Sequence, residues 1–285
     1  MFVIIGYVVA LGCIFGGYII HGGNIGVVLH ALPIEMMVIG GGAIGAFIVN
    51  NQPKVLKATL QAVPKAFKGS KYTKARYMEL MALLYDILQK ARKDGLMSIE
   101  KDVEAPQDSA IFQKYATVGK DHHVVEFTTD YLRMIVSGNL NAHEIEALMD
   151  SEIETHHQEE HAPVAAIARL AGGLPAFGIV AAVLGVVNTM GSVGQPPAVL
   201  GAMIGSALVG TFLGVLLSYG IVGPCAARLR SVIDADAEIY LVVRRVIVAS
   251  LKGQPQPLVI EAARTAIQPV NQPSFSEVFD GMRAK

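Results

Sequence analysis

LAGGLPAFGIVAAVLGVVNTMGSVGQPPAVLGAMIGSALVGTFLGVLLSYGIVGPCAA, residues 170–227, contains no Asp, Glu, Lys, Arg or His across 58 positions. A helix rising ~1.5 Å per residue needs about 20 residues to cross ~30 Å of hydrocarbon, so this stretch is too long for one crossing and suits two. Gly191-Ser192-Val193-Gly194-Gln195-Pro196-Pro197 divides it with turn-forming residues. The pattern predicts a membrane hairpin with helices near Gly173–Met190 and Ala198–Gly223. Its walls hold no ionisable group of their own.

Two further apolar runs, Met1–Ile20 and Ile34–Val49, flank a loop read as His21–Pro33. Glu35 alone interrupts the second run, and its place at the loop end puts it within reach of water or headgroups. The first run has no basic n-region and no cleavage-site pattern, which argues against a signal peptide. With 52% hydrophobic and 16% charged residues and a mean hydropathy of +0.46, an ordinary soluble domain is excluded. Four membrane helices are expected.

Ten Lys and Arg residues lie between Asn51 and Lys93 against only Glu79 and Asp86, and both hairpin loops have none. The positive-inside rule therefore places the middle segment and both termini in the cytoplasm, in agreement with Arg228, Arg230, Arg244 and Arg245 after the fourth helix. No β-strand pattern is present. The fold class is all-α, a polytopic membrane protein with a helical cytoplasmic domain. Its divisions are a hairpin at 1–50, a cytoplasmic domain at 51–169, a second hairpin at 170–224 and C-terminal cytoplasmic helices at 225–285. Cys13 and Cys225 show no disulfide logic and read as packing residues.

Within the middle segment, Lys54–Phe67 alternates lysines with apolar residues and suits an interfacial helix. Thr73 is expected to cap a helix running to Lys93, with Tyr77, Leu80, Met81, Leu84, Ile87 and Leu88 at helical spacing, stopped by Asp94-Gly95. Asp121–Val136 reads as another helix, and Asn141 with Glu144 resembles a capping box for the next. Ala226–Leu251, closed by Gly253, should continue the fourth membrane helix. Glu144–Glu160 holds seven carboxylates beside His156, His157 and His161. His157 and His161 at i,i+4 could chelate a metal. A solvated helix face is the better reading, so no metal site is assigned. Those histidines could also tune sensitivity to cytoplasmic pH, since imidazole titrates near neutrality.

Gly41 with Gly45, Gly201 with Gly205 and Gly210 with Gly214 have the spacing at which helix backbones approach closely, within one subunit or between two. Pro175 and Pro224 stand where the third and fourth helices reach the cytoplasm, and each reads as a helix boundary or as a bend. A proton path along the second hairpin would need a carboxylate brought by a partner.

Several stretches resemble the MotA family of flagellar motor stator subunits. They are LPAFGIVAAVLGVV at Leu174–Val187, VGTFLGVLL at Val209–Leu217, SKYTKARYMELMALLYDIL at Ser70–Leu88, FTTDYLRMIVSGNLNAHEIEALMDSEIETH at Phe127–His156 and PSFSE at Pro273–Glu277. The resemblance implies a non-enzymatic component of the bacterial inner membrane, with five such subunits around two MotB-like chains. Each MotB-like chain gives a membrane Asp whose protonation drives rotation, while the cytoplasmic domain pushes the rotor protein FliG. It assigns the functional prolines to Pro175 and Pro224, the membrane threonine to Thr211 and the rotor contacts to Arg92 and Glu100. Arg92 also suits the last turn of a helix, and Glu100 the start of one capped by Ser98, by their charges alone. Sodium-type relatives carry a threonine where this chain has Ala182, so protons are the expected ion and sodium the alternative. A TolQ- or ExbB-like energiser of an envelope protein is the neighbouring possibility, although those relatives have three membrane helices. No cofactor and no nucleic-acid partner is implied. Lipid contact is.

Overall fold

The computed structural model describes residues 2–138 and 141–283. Met1, Asn139, Leu140, Ala284 and Lys285, which fall in segments read above, lie outside the described residues. Every regular element among the described residues is helical. In chain order these are α1 (Phe2–Ile20), α2 (Ile25–Asn50), α3 (Pro53–Lys68), α4 (Lys74–Asp94), α5 (Glu100–Glu104), α6 (Ala110–Lys114), α7 (Ala116–Gly119), α8 (His122–Val136), α9 (Ala142–Met190), α10 (Pro197–Val215), α11 (Gly223–Leu251), α12 (Gln256–Thr265) and α13 (Phe275–Arg283). A 3₁₀ turn, Leu96–Ile99, precedes α5, and a π-helical segment, Leu216–Val222, joins α10 to α11. Four helical stretches are long and apolar enough to cross a membrane: Phe2–Ile20, Ile25–Asn50, Ala142–Met190 and Pro197–Leu251.

The chain forms two compact units. One, the apolar unit, comprises 1–69 and 160–232; the other, the polar unit, comprises 70–159 and 233–285.

In the apolar unit α2 lies against α9 and α10, with Ile39, Ala43, Leu174, Ala181 and Leu213 buried together and Val28, Ala31 and Val209 forming a second cluster. The Phe177 ring rests on Gly42. Helix α1 buries none of its residues and sits outside. It is held by the Tyr7 hydroxyl, which donates to the Ile221 carbonyl at 2.9 Å, and by an edge-on pair of Phe15 with Phe212. On α3 the lysines 54, 57, 65 and 68 are exposed while Thr59, Ala62 and Ala66 are buried.

The polar unit has an aliphatic and aromatic core. Tyr77, Leu80, Met81, Leu84, Ile87 and Leu88, the stripe expected on α4, are all buried there, with Leu132 and Tyr131 of α8, Val242 and Val246 of α11 and Ile260 of α12. Asp94 ends α4, and Gly95 follows at φ +87°, a conformation that favours glycine. The Asn141 side chain accepts from the backbone N–H groups of His143 (3.1 Å) and Glu144 (3.4 Å), and its amide donates to the Glu144 carboxylate, as the capping pattern implies.

Several boundaries differ from expectation. Helix α2 begins at Ile25, so the loop expected over His21–Pro33 shrinks to His21–Asn24 and Pro33 lies inside the helix. Asn24 starts it by accepting from the Gly26 N–H at 2.9 Å, and a membrane-type helix tolerates an interior proline when neighbouring groups satisfy its backbone. Pro175 and Pro224 are not helix boundaries. α9 runs 49 residues through Pro163 and Pro175, and Pro224 is the second residue of α11, reached from α10 without a break in helical structure. Thr73 occupies the capping position of α4 but its side chain makes no capping bond. Ser98 is not a cap: its hydroxyl donates to the carbonyls of Gly95 (2.6 Å) and Lys90 (3.3 Å). Both thiols are unpaired; Cys225 is half-buried, while Cys13, read as a packing residue, is exposed on α1.

Candidate functional site

The seam between α9 and α10 is made of residues with almost no side chain. A Cβ added at Gly178 would stand 2.8 Å from the Gly210 carbonyl oxygen and 3.0 Å from the Gly214 Cα, and one at Gly214 would stand 2.8 Å from the Leu174 carbonyl oxygen. Gly185 meets Ala207 in the same way. In hydrocarbon such contact rests on van der Waals packing, because lipid provides no hydrophobic drive between helices. Gly210 and Gly214 therefore act within one chain. Gly41, Gly45 and Gly201 have nothing within 4 Å, and Gly205 touches only Val27, at 3.7 Å.

This seam positions the residues singled out in the second hairpin. Ala182 abuts Gly210, its backbone nitrogen 3.1 Å from where a Cβ on that glycine would lie, and Thr211 is the next residue along α10; both are half-buried. Pro175 is half-buried beside Leu174, whose carbonyl meets Gly214. Pro224 is exposed. Just ahead of it the Gly223 N–H bonds to the Ser218 carbonyl, five residues back. A regular turn would press the proline ring against the Gly220 carbonyl, and the wider π turn moves that group aside.

Glu35 is not at a loop end. It is the eleventh residue of α2, 7% exposed, and its Oε2 would lie 2.6 Å from a Cβ on Gly210. That oxygen has no hydrogen-bond partner among the described residues. The second hairpin contributes no acid of its own, as read above, yet α2 delivers a carboxyl to its seam. The burial was hidden by placing the start of α2 at the wrong residue, and the polar Asn24 cap was the available signal.

Arg92 and Glu100 lie at the exposed rim of the polar unit. Arg92, in the last turn of α4, donates to the Gln254 carbonyl and borders an apolar recess of about 490 Å³. Glu100 opens α5 after the 3₁₀ turn, is exposed, and its carboxylate has no hydrogen-bond or ion-pair partner among the described residues. Beneath them Asp102 is buried, held by Lys90 at 2.7 Å and by the Ser109 hydroxyl at 2.6 Å. His156 stacks on Tyr240 at a centroid distance of 6.0 Å, and His157 Nε2 lies 3.8 Å from Asp234 Oδ1.

Two of the resembling motifs turn out to be clamps of the polar unit. Ser70 donates to Asp236 at 2.6 Å, and the backbone N–H of Lys71 reaches the same carboxylate. Lys71 and Tyr72 each donate to Asp121 Oδ2 at 2.8 Å. Burial alone would raise the Asp121 pKa; the two hydrogen bonds, with the charges of Lys71 and Arg76, outweigh it and hold the carboxyl below the usual range. Ser274 and Glu277 form a reciprocal capping box. The Ser274 N–H donates to Glu277 Oε2 at 2.7 Å, and the Glu277 N–H donates to the Ser274 hydroxyl at 3.3 Å. The Lys74 ammonium, 2.7 Å away, helps lower the Glu277 carboxyl to about 2. The Ser-x-x-Glu spacing of Ser274 and Glu277 is the sequence signal for this box.

Fold and seam together define a multi-pass helical membrane protein with a polar helical unit of its own. Residues 4–95 match the model described as Motility protein A N-terminal, and residues 119–240 match the MotA/TolQ/ExbB proton channel family. The chain is 45% identical over 284 residues to Motility protein A of Salmonella typhimurium and, equally, of Escherichia coli, covering 100% of this chain and 96% of each relative. It is 37% identical over 274 residues to the chemotaxis protein LafT of Vibrio parahaemolyticus, covering 96% and 95%. The fold matches the structure of C. jejuni MotAB (TM-score 0.76, 20% identity, 95% and 98% covered). It also matches the flagellar MotAB stator complex from Bacillus subtilis (TM-score 0.72, 24% identity, 90% and 92% covered). The chain belongs to the motility protein A family.

Proposed function

We propose that the chain is a flagellar stator subunit which, with a MotB-like partner, passes protons across the inner membrane and turns their flow into torque. The observation that carries this reading is the α9–α10 seam, a close-packed hairpin without an acid or base over 58 residues that presents Ala182 and Thr211 at one level. The partner supplies the membrane Asp on which the ion rides. Protons are favoured over sodium because the Ala182 methyl cannot ligate a dehydrated cation. The polar unit and both termini face the cytoplasm, as the basic segment 51–93 favours. Several copies, five in our reading, surround a partner pair. Gly41, Gly45 and Gly201, with open space beside them, suit contacts with other copies or with lipid. Arg92 and the exposed Glu100 contact the rotor protein FliG, and Pro175 and Pro224 couple the seam to that movement. The chain makes and breaks no substrate bonds.

The test is cytoplasmic pH in cells expressing this chain with a MotB-like partner whose periplasmic plug is deleted. Acidification that disappears when the partner's membrane Asp is replaced is the expected result. No acidification with both proteins present in the membrane would overturn the proton reading, and a sodium indicator would then separate a sodium stator from a scaffold. Pro175→Ala and Pro224→Ala should abolish swimming while assembly persists; normal swimming would remove their coupling role.

A further inference from the structure

We propose that Glu35 is a proton-binding site belonging to this chain, a carboxyl that takes up and releases the translocated proton beside the α9–α10 seam. The proposal rests on the reading that the assembly conducts protons and adds a group to it. At ~1.5 Å per residue Glu35 lies about 15 Å from the start of α2 and about 22 Å from its end, away from both ends of a helix long and apolar enough to cross a membrane. Ionisable residues at that depth are costly and mark ion pathways by default.

The local packing gives the carboxyl a made place. Gly210 lacks the Cβ that would stand 2.6 Å from Oε2, and Ala181 and Ala182 close the same spot from α9, with a methyl and a backbone nitrogen each 3.1 Å from that position. Among the described residues nothing donates a hydrogen bond to Oε2. No Lys, Arg, Asp or Glu occurs in α1, in α9 beyond Arg169, in α10 or elsewhere in α2; the other titratable groups of α1 and α2 are Tyr7, Cys13, Tyr18 and the exposed His30. Among the described residues no cation or hydrogen-bond donor stands beside Oε2 to hold a charge on this carboxyl. Its proton leaves only when water or the partner's carboxylate reaches the pocket. The step is a proton transfer alone: the O–H bond of Glu35 breaks, the acceptor oxygen gains the proton, and the next proton from the periplasmic side restores the acid. A residue serving only as filler would be replaced by glutamine, its isostere, without consequence.

The experiment is the cytoplasmic acidification assay with the unplugged partner, run on the wild-type chain, on Glu35→Gln and Glu35→Asp, and with the Asp-less partner. Membrane content is followed by immunoblot. The expected result is acidification by wild type that needs the partner's Asp, a fall of at least about tenfold in Glu35→Gln at equal membrane content, and recovery in Glu35→Asp. Wild-type flux in Glu35→Gln would overturn the role of Glu35 while leaving proton conduction intact. Absence of flux in the wild type would overturn the underlying function and this site with it. If Glu35→Gln fails to accumulate, the dependence of flux on external pH in Glu35→Asp decides. A displaced midpoint supports a titrating group, and a profile superimposable on wild type removes it.

Discussion

The two units of this chain are held together by opposite means. In the apolar unit the decisive contacts are backbone against backbone, Gly178 on Gly210 and Gly214, and the one buried carboxyl has no donor beside it among the described residues. In the polar unit large side chains fill the core and each clamp is a charged or hydroxyl group with a named partner: Asp121 with Lys71 and Tyr72, Asp102 with Lys90 and Ser109, Glu277 with Lys74 and Ser274. Water explains the contrast. Where it competes, burying large apolar groups drives folding and polar groups must be satisfied. In lipid, close approach itself is the attraction and size is the enemy.

That contrast can be broken at its strongest point first. Gly178→Val places a branched side chain where even a Cβ meets backbone at 2.8 Å. The chain should fail to accumulate in membranes, read by immunoblot, with loss of swimming. In the polar unit Leu84→Ala removes a side chain that is 1% exposed and should cost about 2–5 kcal/mol, seen as a lowered Tm of the detergent-extracted protein. Asp121→Asn should cost about 1–2 kcal/mol at neutral pH. Because the folded carboxyl sits below its unfolded value, its contribution is present above about pH 4 and fades as pH falls further, so wild type and variant should converge in acid melts. Ser274→Ala should cost about 1 kcal/mol through the lost cap, a shift of a few degrees. Gly41→Ala closes the series: with open space at its Cβ it should accumulate like wild type, within about 0.5 kcal/mol. Lost motility in that variant despite normal accumulation would assign Gly41 to a contact between copies.

Much of this was readable in advance because hydropathy and helical spacing report on solvent. The four membrane helices, the buried face of α4 and the Asn141 cap all follow from that rule. Proline misled the reading. Pro33, Pro175 and Pro224 look like stops in a chain surrounded by water, where a freed carbonyl is easily hydrated, but helices run through all three. Placing α2 too late in turn left Glu35 in the headgroups. At the exposed rim of the polar unit that carries Arg92 and Glu100, the role of Ser98 was not legible, because a hydroxyl can donate to the preceding helix as readily as cap the following one.

The π turn at Leu216–Val222 has a geometric cost that no contact records. One residue is spent without advancing the helix, so the phase of side chains around the axis slips by about 100° between Thr211 and everything after Pro224. Counting by 3.6 across this segment assigns faces wrongly. Deleting a single residue within it would restore a regular winding and turn residues 223–232 relative to α10, so this short stretch sets which faces the two helices present within the apolar unit.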